Sequence, residues 1–356
     1  MMRALTFRLA GVPLEIRTPS RRLQDLFAGY FAAYAPQLRQ EDEAQPRWVD
    51  EEAQGWRLGG GEGESPGSGA GQIDLLRVDR LPELADLLPG GARQIAQTGI
   101  LSLWQGSSTT NEEWVFLSEG AVFRVDGAAG KMTGWIAPAA LALPHILANT
   151  TTLLPLLLLL RQKGRYHLHA AAVESPKGER WLICGPPRAG KSTLTTALGL
   201  SGWQPIADDG LFLSAHRGAP YLEALRKPFH LDRQLWERWP MLAEVRQGPV
   251  SLERILVDGL SHFGTAELAQ SGWSGIDAIL LPRISGMRQS VLASIEPSRV
   301  LLTLAQESVY FPLCPPHPQR QWSLLTELVR QARGYTLSAG EDLLDHPGRI
   351  AHLLDG

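Results

Sequence analysis

The segment that most restricts the fold of this chain is GPPRAGKST, residues 185–193. Its first eight residues match the pattern G-x-x-x-x-G-K-[ST] without a departure. The apolar run RWLIC comes directly before Gly185, and KSTLTTALGL, which has helical character, follows Gly190. A buried strand, a glycine-rich turn and a helix in this order predict a phosphate-binding loop in an α/β domain.

The residue types in this loop are suited to a nucleoside triphosphate. Backbone N–H groups of the turn and of the helix N-terminus point at the β-phosphate, where the helix dipole favours negative charge. Lys191 is expected to reach the β and γ oxygens, and the Ser192 hydroxyl is expected to ligate Mg²⁺. ATP and Mg²⁺ are therefore the expected cofactors. The predicted nucleotide-binding residues are Gly185, Pro186, Pro187, Arg188, Ala189, Gly190, Lys191, Ser192 and Thr193.

Two carboxylates, Asp208 and Asp209, end a short strand in the next segment, SGWQPIADDG. A helix of about ten residues runs back across the sheet, and the strand after it returns parallel to the first. Both carboxylates are therefore expected beside the phosphate loop, at the carboxyl end of the sheet. A carboxylate there can hold Mg²⁺, orient water, or accept a proton from an attacking hydroxyl.

Composition argues against several classes of partner. The net charge is −3 and no block of like charge occurs, which disfavours nucleic acid and anionic membranes as partners. Cys184 and Cys314 show no metal-binding spacing, which is typical of core thiols in a reducing compartment. The first residues lack the pattern of a secretion signal, so a cytoplasmic location is expected.

One run, LLPLLLLL at residues 153–160, is apolar enough to suggest a membrane. It is short of the roughly 20 residues that span a bilayer. With Pro155 in its first turn, the run predicts a buried helix instead.

At 356 residues the chain is expected to form two domains. Residues 1–143 predict a smaller α+β module that starts with two strands, ALTFRLA and VPLEIRT, and a helix after Ser20. Residues 59–71, GGGEGESPGSGAG, predict a flexible loop inserted in a hairpin between QGWRLG and QIDLLRV. Residues 144–356 contain the phosphate loop and predict the second domain.

The segment from YHLHAAAV to ADDG, residues 166–210, resembles the catalytic domain of HPr kinase/phosphorylase and its relatives. The shared features are a histidine on the strand before the loop strand, the loop itself, and a short helix-strand passage ending in Ala-Asp-Asp. His169 in LHAAAV takes the place of the family's histidine. The nearby His167 is interpreted as structural.

This resemblance implies a P-loop HPr-kinase-like catalytic domain with a mixed sheet. It also implies ATP- and Mg²⁺-dependent transfer of the γ-phosphoryl to a serine hydroxyl of a protein or peptide. Asp209 would be the base toward that hydroxyl, Lys191 and Ser192 would act on phosphates and metal, and His169 would complete the catalytic site. Assembly into a homo-oligomer remains open.

Beyond Gly210 the resemblance is weaker. The family's Glu-x-Arg-Gly loop corresponds to YLEALRKPFHLD, which lacks the glycine, and Glu223 in it is a candidate metal ligand together with Ser192 and Asp208. The family's loop for the reverse, phosphorolytic reaction is not recognisable. The chain therefore looks more like the divergent HPr-kinase-related proteins, some of which phosphorylate precursor peptides.

A family arginine that supports phosphoryl transfer is expected after a later strand. In IDAILLPRISGMRQS the candidate is Arg283, which follows the strand-like residues 276–281. Arg226 and Lys227 are alternatives for neutralising charge in the transition state.

Two other functions remain open at this stage. One is a small-molecule kinase, which would have a closed pocket. The other is a nucleotide-dependent binding or regulatory module with weak ATPase activity. No Asn/Thr-Lys-x-Asp segment is present, which argues against a GTPase.

Overall fold

A computed structural model describes residues 3–34, 49–50, 70–88, 91–97, 101–106, 113–225, 229–239, 242, 254–257, 262–265, 272–309 and 318–355. Most of the predicted flexible loop at 59–71, together with Cys314, Arg226 and Lys227, lies outside these residues. The chain divides into two compact units. The first is Met1–Arg165 with Pro312–Pro318, and the second is Tyr166–Phe311 with Gln319–Gly356.

The first unit contains one sheet of nine described strands in the order β3-β1-β2-β4-β9-β8-β7-β6-β5. The strands are β1 Arg3–Leu9, β2 Val12–Thr18, β3 Val49–Asp50, β4 Gly71–Arg77, β5 Ala92–Gln97, β6 Leu101–Gly106, β7 Glu113–Ser118, β8 Ala121–Asp126 and β9 Lys131–Ile136. β4 lies between β2 and β9 and is parallel to both. The segment QGWRLG lies outside the described residues, so the predicted hairpin with QIDLLRV stays a prediction.

Helices cover part of this sheet. They are α1 Arg21–Tyr34, α2 Leu84–Leu87, α3 Pro144–Ile146 and α4 Leu153–Gln162, with a 3-10 turn at Ala140–Ala142 and a π-helical segment at Leu147–Thr152. In α1, Leu23, Phe27 and Phe31 are buried at a spacing of four residues, which gives the helix one apolar face. The Phe31 ring packs 4.4 Å, centroid to centroid, from the Phe7 ring of β1.

The leucine-rich run forms α4, as predicted. Its leucines at 156–160 are all buried, and α4 contacts β8 and β9 of the first unit. Because α4 packs on these strands, the division between the units falls after Arg165, whereas the sequence placed it after residue 143. Among the described helices, none is long and apolar enough to cross a membrane.

The second unit contains three described sheets. Its strands are β10 Tyr166–Leu168, β11 Ala170–Glu174, β12 Arg180–Cys184, β13 Gln204–Ala207, β14 Leu211–His216, β15 Ala219–Ala224, β16 Phe229–Asp232, β17 Arg254–Val257, β18 Trp273–Ser274, β19 Ala278–Ile284, β20 Val291–Ser294 and β21 Arg333–Ala339. Its helices are α5 Lys191–Leu200, α6 Arg233–Arg238, α7 Pro297–Gln306, α8 Pro318–Gln331, α9 Asp342–Asp345 and α10 Arg349–Asp355.

The largest sheet of this unit has the order β13-β11-β12-β19-β21-β20. β12, β19 and β21 run parallel as neighbours, whereas β11 is antiparallel to both β12 and β13 and β20 is antiparallel to β21. The sheet is mixed and the fold is a mixed α/β fold. Leu182 and Ile183 of β12 point to opposite faces and are both fully buried, as expected for a central strand covered on both sides.

The other two sheets are smaller. A four-stranded sheet has the order β10-β14-β15-β18, and β16 pairs with β17. The chain passes from the four-stranded sheet into the six-stranded sheet at His169, the single residue between β10 and β11.

Strand direction brings the predicted site residues to one edge of the six-stranded sheet. Ala170, at the start of β11, pairs with Cys184, at the end of β12. β13 runs parallel to β12 because each is antiparallel to β11. The phosphate loop after β12, His169 before β11 and Asp209 after β13 therefore share the carboxyl edge of β12, where open α/β sheets bind ligands.

Candidate active site

The phosphate loop, residues 185–193, joins β12 to α5 as the sequence predicts. Gly190 precedes the helix with φ of 97°, in the left-handed region that glycine adopts without steric cost. Arg188 also has a positive φ, 68°, which is uncommon for a residue with a side chain. The Lys191 ammonium is buried and donates to the carbonyls of Gly185, at 2.7 Å, and Pro186, at 3.2 Å.

These features fit the phosphates of a nucleotide. No side chain caps the N-terminus of α5, and the N–H groups of a helix's first turn have no partner within the helix. A Cβ added at Gly190 would meet no atom within 4 Å, so the space at this end of the helix is open. The loop thus combines helix N–H groups and one ammonium, which are the donors that a phosphate requires.

The ring of His169 lies between two carboxylates, those of Asp209 and Glu307. Its Nε2 lies 2.7 Å from Oδ1 of Asp209, and its Nδ1 lies 3.2 Å from Oε2 of Glu307. The backbone N–H of His169 also donates to the carbonyl of Glu307, at 3.0 Å. The side chains of His169 and Asp209 are about one quarter and one third exposed, whereas that of Glu307 is 13% exposed.

This arrangement constrains the imidazole ring. Each ring nitrogen lies within hydrogen-bond distance of one carboxylate oxygen. With Glu307 holding Nδ1 on one side, Nε2 is directed at Asp209 on the other. The group can therefore orient the Asp209 carboxylate.

Glu307 is a site residue that the sequence did not indicate. It directly follows α7, and its neighbour Ser308 forms an isolated β-bridge with Leu168. The backbone N–H of Val309 also donates to the carbonyl of His167, at 3.2 Å. Backbone pairing between residues 307–309 and 167–169 thus places Glu307 next to His169. The local sequence AQESVY contains no motif that indicates this contact.

The three predicted metal ligands occupy different environments. Asp208 is buried, whereas Ser192 is half-buried. Glu223 lies on β15 opposite Phe212. Burial raises the pKa of the Tyr221 hydroxyl, and the negative charge of Glu223 raises it further. Across the described ranges, no group of three or more His, Cys, Asp and Glu side chains is arranged to hold a metal ion. A nucleotide-bound Mg²⁺ takes ligands from phosphate oxygens and water, so its binding does not require such a group.

Arg283 lies inside a strand, not after it as predicted, because β19 continues to Ile284. The guanidinium Nε donates to Oγ of Ser338 on β21, at 3.0 Å. Arg283 also lines a pocket of about 320 Å³ next to the phosphate loop, here called the loop-side pocket. The lining residues are Cys184, Gly185, Pro186, Leu281, Pro282, Arg283, Ile295, Arg299, Leu302, Thr303, Gln306 and Thr336.

His167 is separated from His169 by a change of sheet. It is buried in β10 and packs edge-on against the Phe212 ring, with centroids 5.8 Å apart. A Cβ added at Gly210 would lie 2.7 Å from its Nε2, so the glycine after the two aspartates leaves room for this ring. These contacts agree with a structural role for His167.

Comparisons with known proteins add a similarity but no assignment. No protein-family model matches the chain, and a search of curated proteins also finds no match. Among solved structures, the chain is similar to the Hpr(Ser) kinase/phosphatase from Coxiella burnetii, with 14% identity, a TM-score of 0.29, and coverage of 53% of this chain and 93% of that chain. A TM-score this low supports no inference about the activity of this chain.

Proposed function

We propose that this protein is a kinase that uses ATP and Mg²⁺ to phosphorylate a serine hydroxyl of a protein or peptide. The observation that carries the proposal is the contact between Asp209 and His169 at the sheet edge where the phosphate loop begins. A phosphate loop alone is equally suited to hydrolysis. A carboxylate that is about one third exposed and has a fixed orientation at this sheet edge is suited to accepting the proton of an attacking hydroxyl.

The proposed reaction is a direct transfer. The serine oxygen forms a bond to the γ-phosphorus, the bond from that phosphorus to the β–γ bridging oxygen breaks, and ADP leaves. The hydroxyl proton passes to the carboxylate of Asp209. Lys191 and the N–H groups of the loop hold the phosphates, so that positioning and charge neutralisation lower the barrier.

Bound Mg²⁺ would neutralise charge on the β- and γ-phosphate oxygens. Ser192 supplies a hydroxyl next to Lys191 for this ion, and Asp208 and Glu223 are the carboxylates proposed to complete its shell. His169 and Glu307 act on Asp209: Glu307 holds the ring of His169, and the ring holds Asp209 in the orientation that accepts the proton.

The test gives the purified full chain radiolabelled ATP and Mg²⁺ with three separate acceptor mixtures. These are serine-containing peptides, small hydroxylated metabolites, and water alone. We expect label on peptide serines, located by mass spectrometry. Label on metabolites only, or release of phosphate to water only, would overturn the proposal in favour of a small-molecule kinase or an ATPase.

Two substitutions locate the reaction. Asp209→Asn should reduce transfer about 10²- to 10⁴-fold, the usual contribution of a general base, while ATP still binds. Lys191→Ala should weaken ATP binding and transfer together. Transfer that survives Lys191→Ala at the wild-type rate would place the reaction somewhere other than the phosphate loop.

A further inference from the structure

The loop-side pocket lies at the carboxyl ends of β12 and β19, next to the phosphate loop. Its floor is made by the ends of β12 and β19, at Cys184 and at residues 281–283. One wall is α7, which contributes Arg299, Leu302 and Gln306. In open α/β sheets, ligands bind outside the carboxyl ends of the strands, and this pocket has that position.

The pocket also adjoins the group that contains Asp209. Gln306 lines it, and the next residue, Glu307, contacts His169. Burial raises the pKa of the Cys184 thiol, the negative charge of Glu307 raises it further, and the positive charge of Lys191 opposes both. The pocket therefore adjoins both the start of the phosphate loop, at Gly185 and Pro186, and the segment that carries Glu307.

The charged residues that line the pocket are all positive. Arg283 and Arg299 are both exposed, and none of the twelve lining residues is acidic. Within the part of the chain that the structure describes, neither guanidinium has a carboxylate within ion-pair distance, and the recorded side-chain contact of Arg283 is with Ser338. Glu296 lies one turn before Arg299 and is exposed, but it forms no ion pair with any described residue. Two unneutralised guanidinium groups favour an anionic ligand.

Exposed apolar side chains lie beside these arginines. Leu302, in the pocket wall, is 56% exposed. Val291 is 52% exposed and pairs with Ser338 of β21, which pairs with Arg283 on its other side, so Val291 and Arg283 lie on the same face of the sheet. Exposed apolar side chains clustered beside a polar pocket are typical of a surface that binds another polypeptide.

We propose that the loop-side pocket is the acceptor subsite and that it selects polypeptides with an acidic residue next to the phosphorylated serine. Arg299 and Arg283 recognise the acidic side chain, and Leu302 and Val291 pack against apolar residues of the same segment. This inference rests on the proposed kinase function and adds the class of its acceptor.

The test compares three serine peptides that differ only in the residues flanking the serine: Asp and Glu, Asn and Gln, or Lys. We expect the wild-type chain to phosphorylate the acidic peptide with at least tenfold higher kcat/KM than the neutral peptide. Arg299→Gln should remove most of this preference, and Arg299→Glu should shift it toward the Lys peptide. Arg320→Gln, which removes an exposed arginine from α8 and is not part of the pocket lining, is the matched control and should keep the wild-type preference.

A binding measurement separates failure of this inference from failure of the kinase function. Fluorescence anisotropy with the labelled acidic peptide, without ATP, should show binding that Arg299→Gln weakens and Arg320→Gln does not. Transfer to all three peptides at equal efficiency would overturn the acceptor preference and leave the kinase function intact. Absence of transfer, with arginine-dependent peptide binding retained, would refute the kinase function and support the peptide site. A change confined to the KM for ATP in Arg299→Gln would assign the pocket to the nucleotide and overturn the inference.

Discussion

Asp209 and His169 contact each other through Oδ1 and Nε2 at 2.7 Å, and the opposite nitrogen of the same ring lies 3.2 Å from Glu307. The imidazole is therefore held from two sides by carboxylates that come from distant parts of the chain. The more buried of the two, Glu307, is expected to fix the ring, and the more exposed, Asp209, is the proposed proton acceptor. This division of roles leads to the first prediction.

Glu307→Gln should lower kcat at least roughly tenfold and leave the KM for ATP unchanged. The amide keeps the size of the carboxylate but removes its negative charge, so the ring is held less firmly at Nδ1 and Asp209 is oriented less well. Steady-state kinetics measures the separation between kcat and KM. Nuclear magnetic resonance of the His169 ring should show weakening of the downfield Nδ1–H signal.

The matched control for Glu307→Gln is Glu174→Gln. Glu174 ends β11 at the opposite edge of the same sheet, pairs with Arg180 at 2.8 Å and is 18% exposed. It should change stability by a comparable amount and leave kcat at the wild-type value. Equal losses of kcat in both variants would mean that Glu307 acts only through the stability of the fold.

Gly190→Ala should weaken ATP binding more than it destabilises the fold. An alanine at a φ of 97° is strained by roughly 1–2 kcal/mol, and relief of that strain moves the N–H groups at the start of α5. Isothermal titration with ATP and Mg²⁺ measures the affinity, and thermal denaturation measures the stability.

Gly178→Ala is the control for backbone strain. Gly178 has a φ of 80°, an added Cβ there also meets no atom within 4 Å, and it lies in the turn between β11 and β12, away from the phosphate loop. It should lose similar stability and keep the wild-type affinity for ATP. If both variants bind ATP equally well, the loop does not depend on the left-handed conformation of Gly190.

The strand, turn and helix around residues 185–193 could be predicted from the sequence because the spacing, the glycine at 190 and the flanking segments all act locally. The observed strand ends at Cys184 and the helix starts at Lys191, as the motif requires. The placement of Asp209 at the same edge also followed from local elements, since α5 has the ten residues needed to return the chain across the sheet.

Glu307 could not be predicted in this way. It is 138 residues from His169 in sequence, and it reaches the ring through pairing between two short backbone segments. The break at His169 was missed for a similar reason. YHLHAAAV is apolar enough to form one strand, and only the pairing of β10 with β14 and of β11 with β12 divides it. A single sequence with one strong local motif does not determine which distant strands pair with each other.

Cys184 should react slowly with iodoacetamide in the folded protein. Burial is the largest cause of its raised pKa, so very little reactive thiolate forms near neutral pH. Peptide-level mass spectrometry should show alkylation of Cys184 at least tenfold slower in native protein than in urea. Rapid labelling under native conditions would mean that the floor of the loop-side pocket opens to solvent.

Asp342 should contribute to loss of stability in acid. Burial of this carboxyl favours its neutral form, but hydrogen bonds from Ser290, the charge of Arg349 and the N–H of Leu343 outweigh burial and lower its pKa. The Ser290 hydroxyl donates to Asp342 at 2.6 Å and accepts from the N–H of Gly340, so the contact ties residues 285–290 to the end of β21.

Because the pKa of Asp342 is lower in the folded chain than in the unfolded chain, its stabilising effect is complete above the unfolded pKa of about 3.9 and is lost as pH falls through the folded value. Asp342→Asn should cost about 1–2 kcal/mol at pH 7, where the charged hydrogen bonds are present, and should lose less additional stability than wild type between pH 5 and pH 2. Urea unfolding at a series of pH values measures both quantities. Ser290→Ala should reduce the acid sensitivity in the same direction, since it removes a hydrogen bond to the carboxylate. Parallel stability curves for wild type and Asp342→Asn would show that this carboxyl is not the group that protonates.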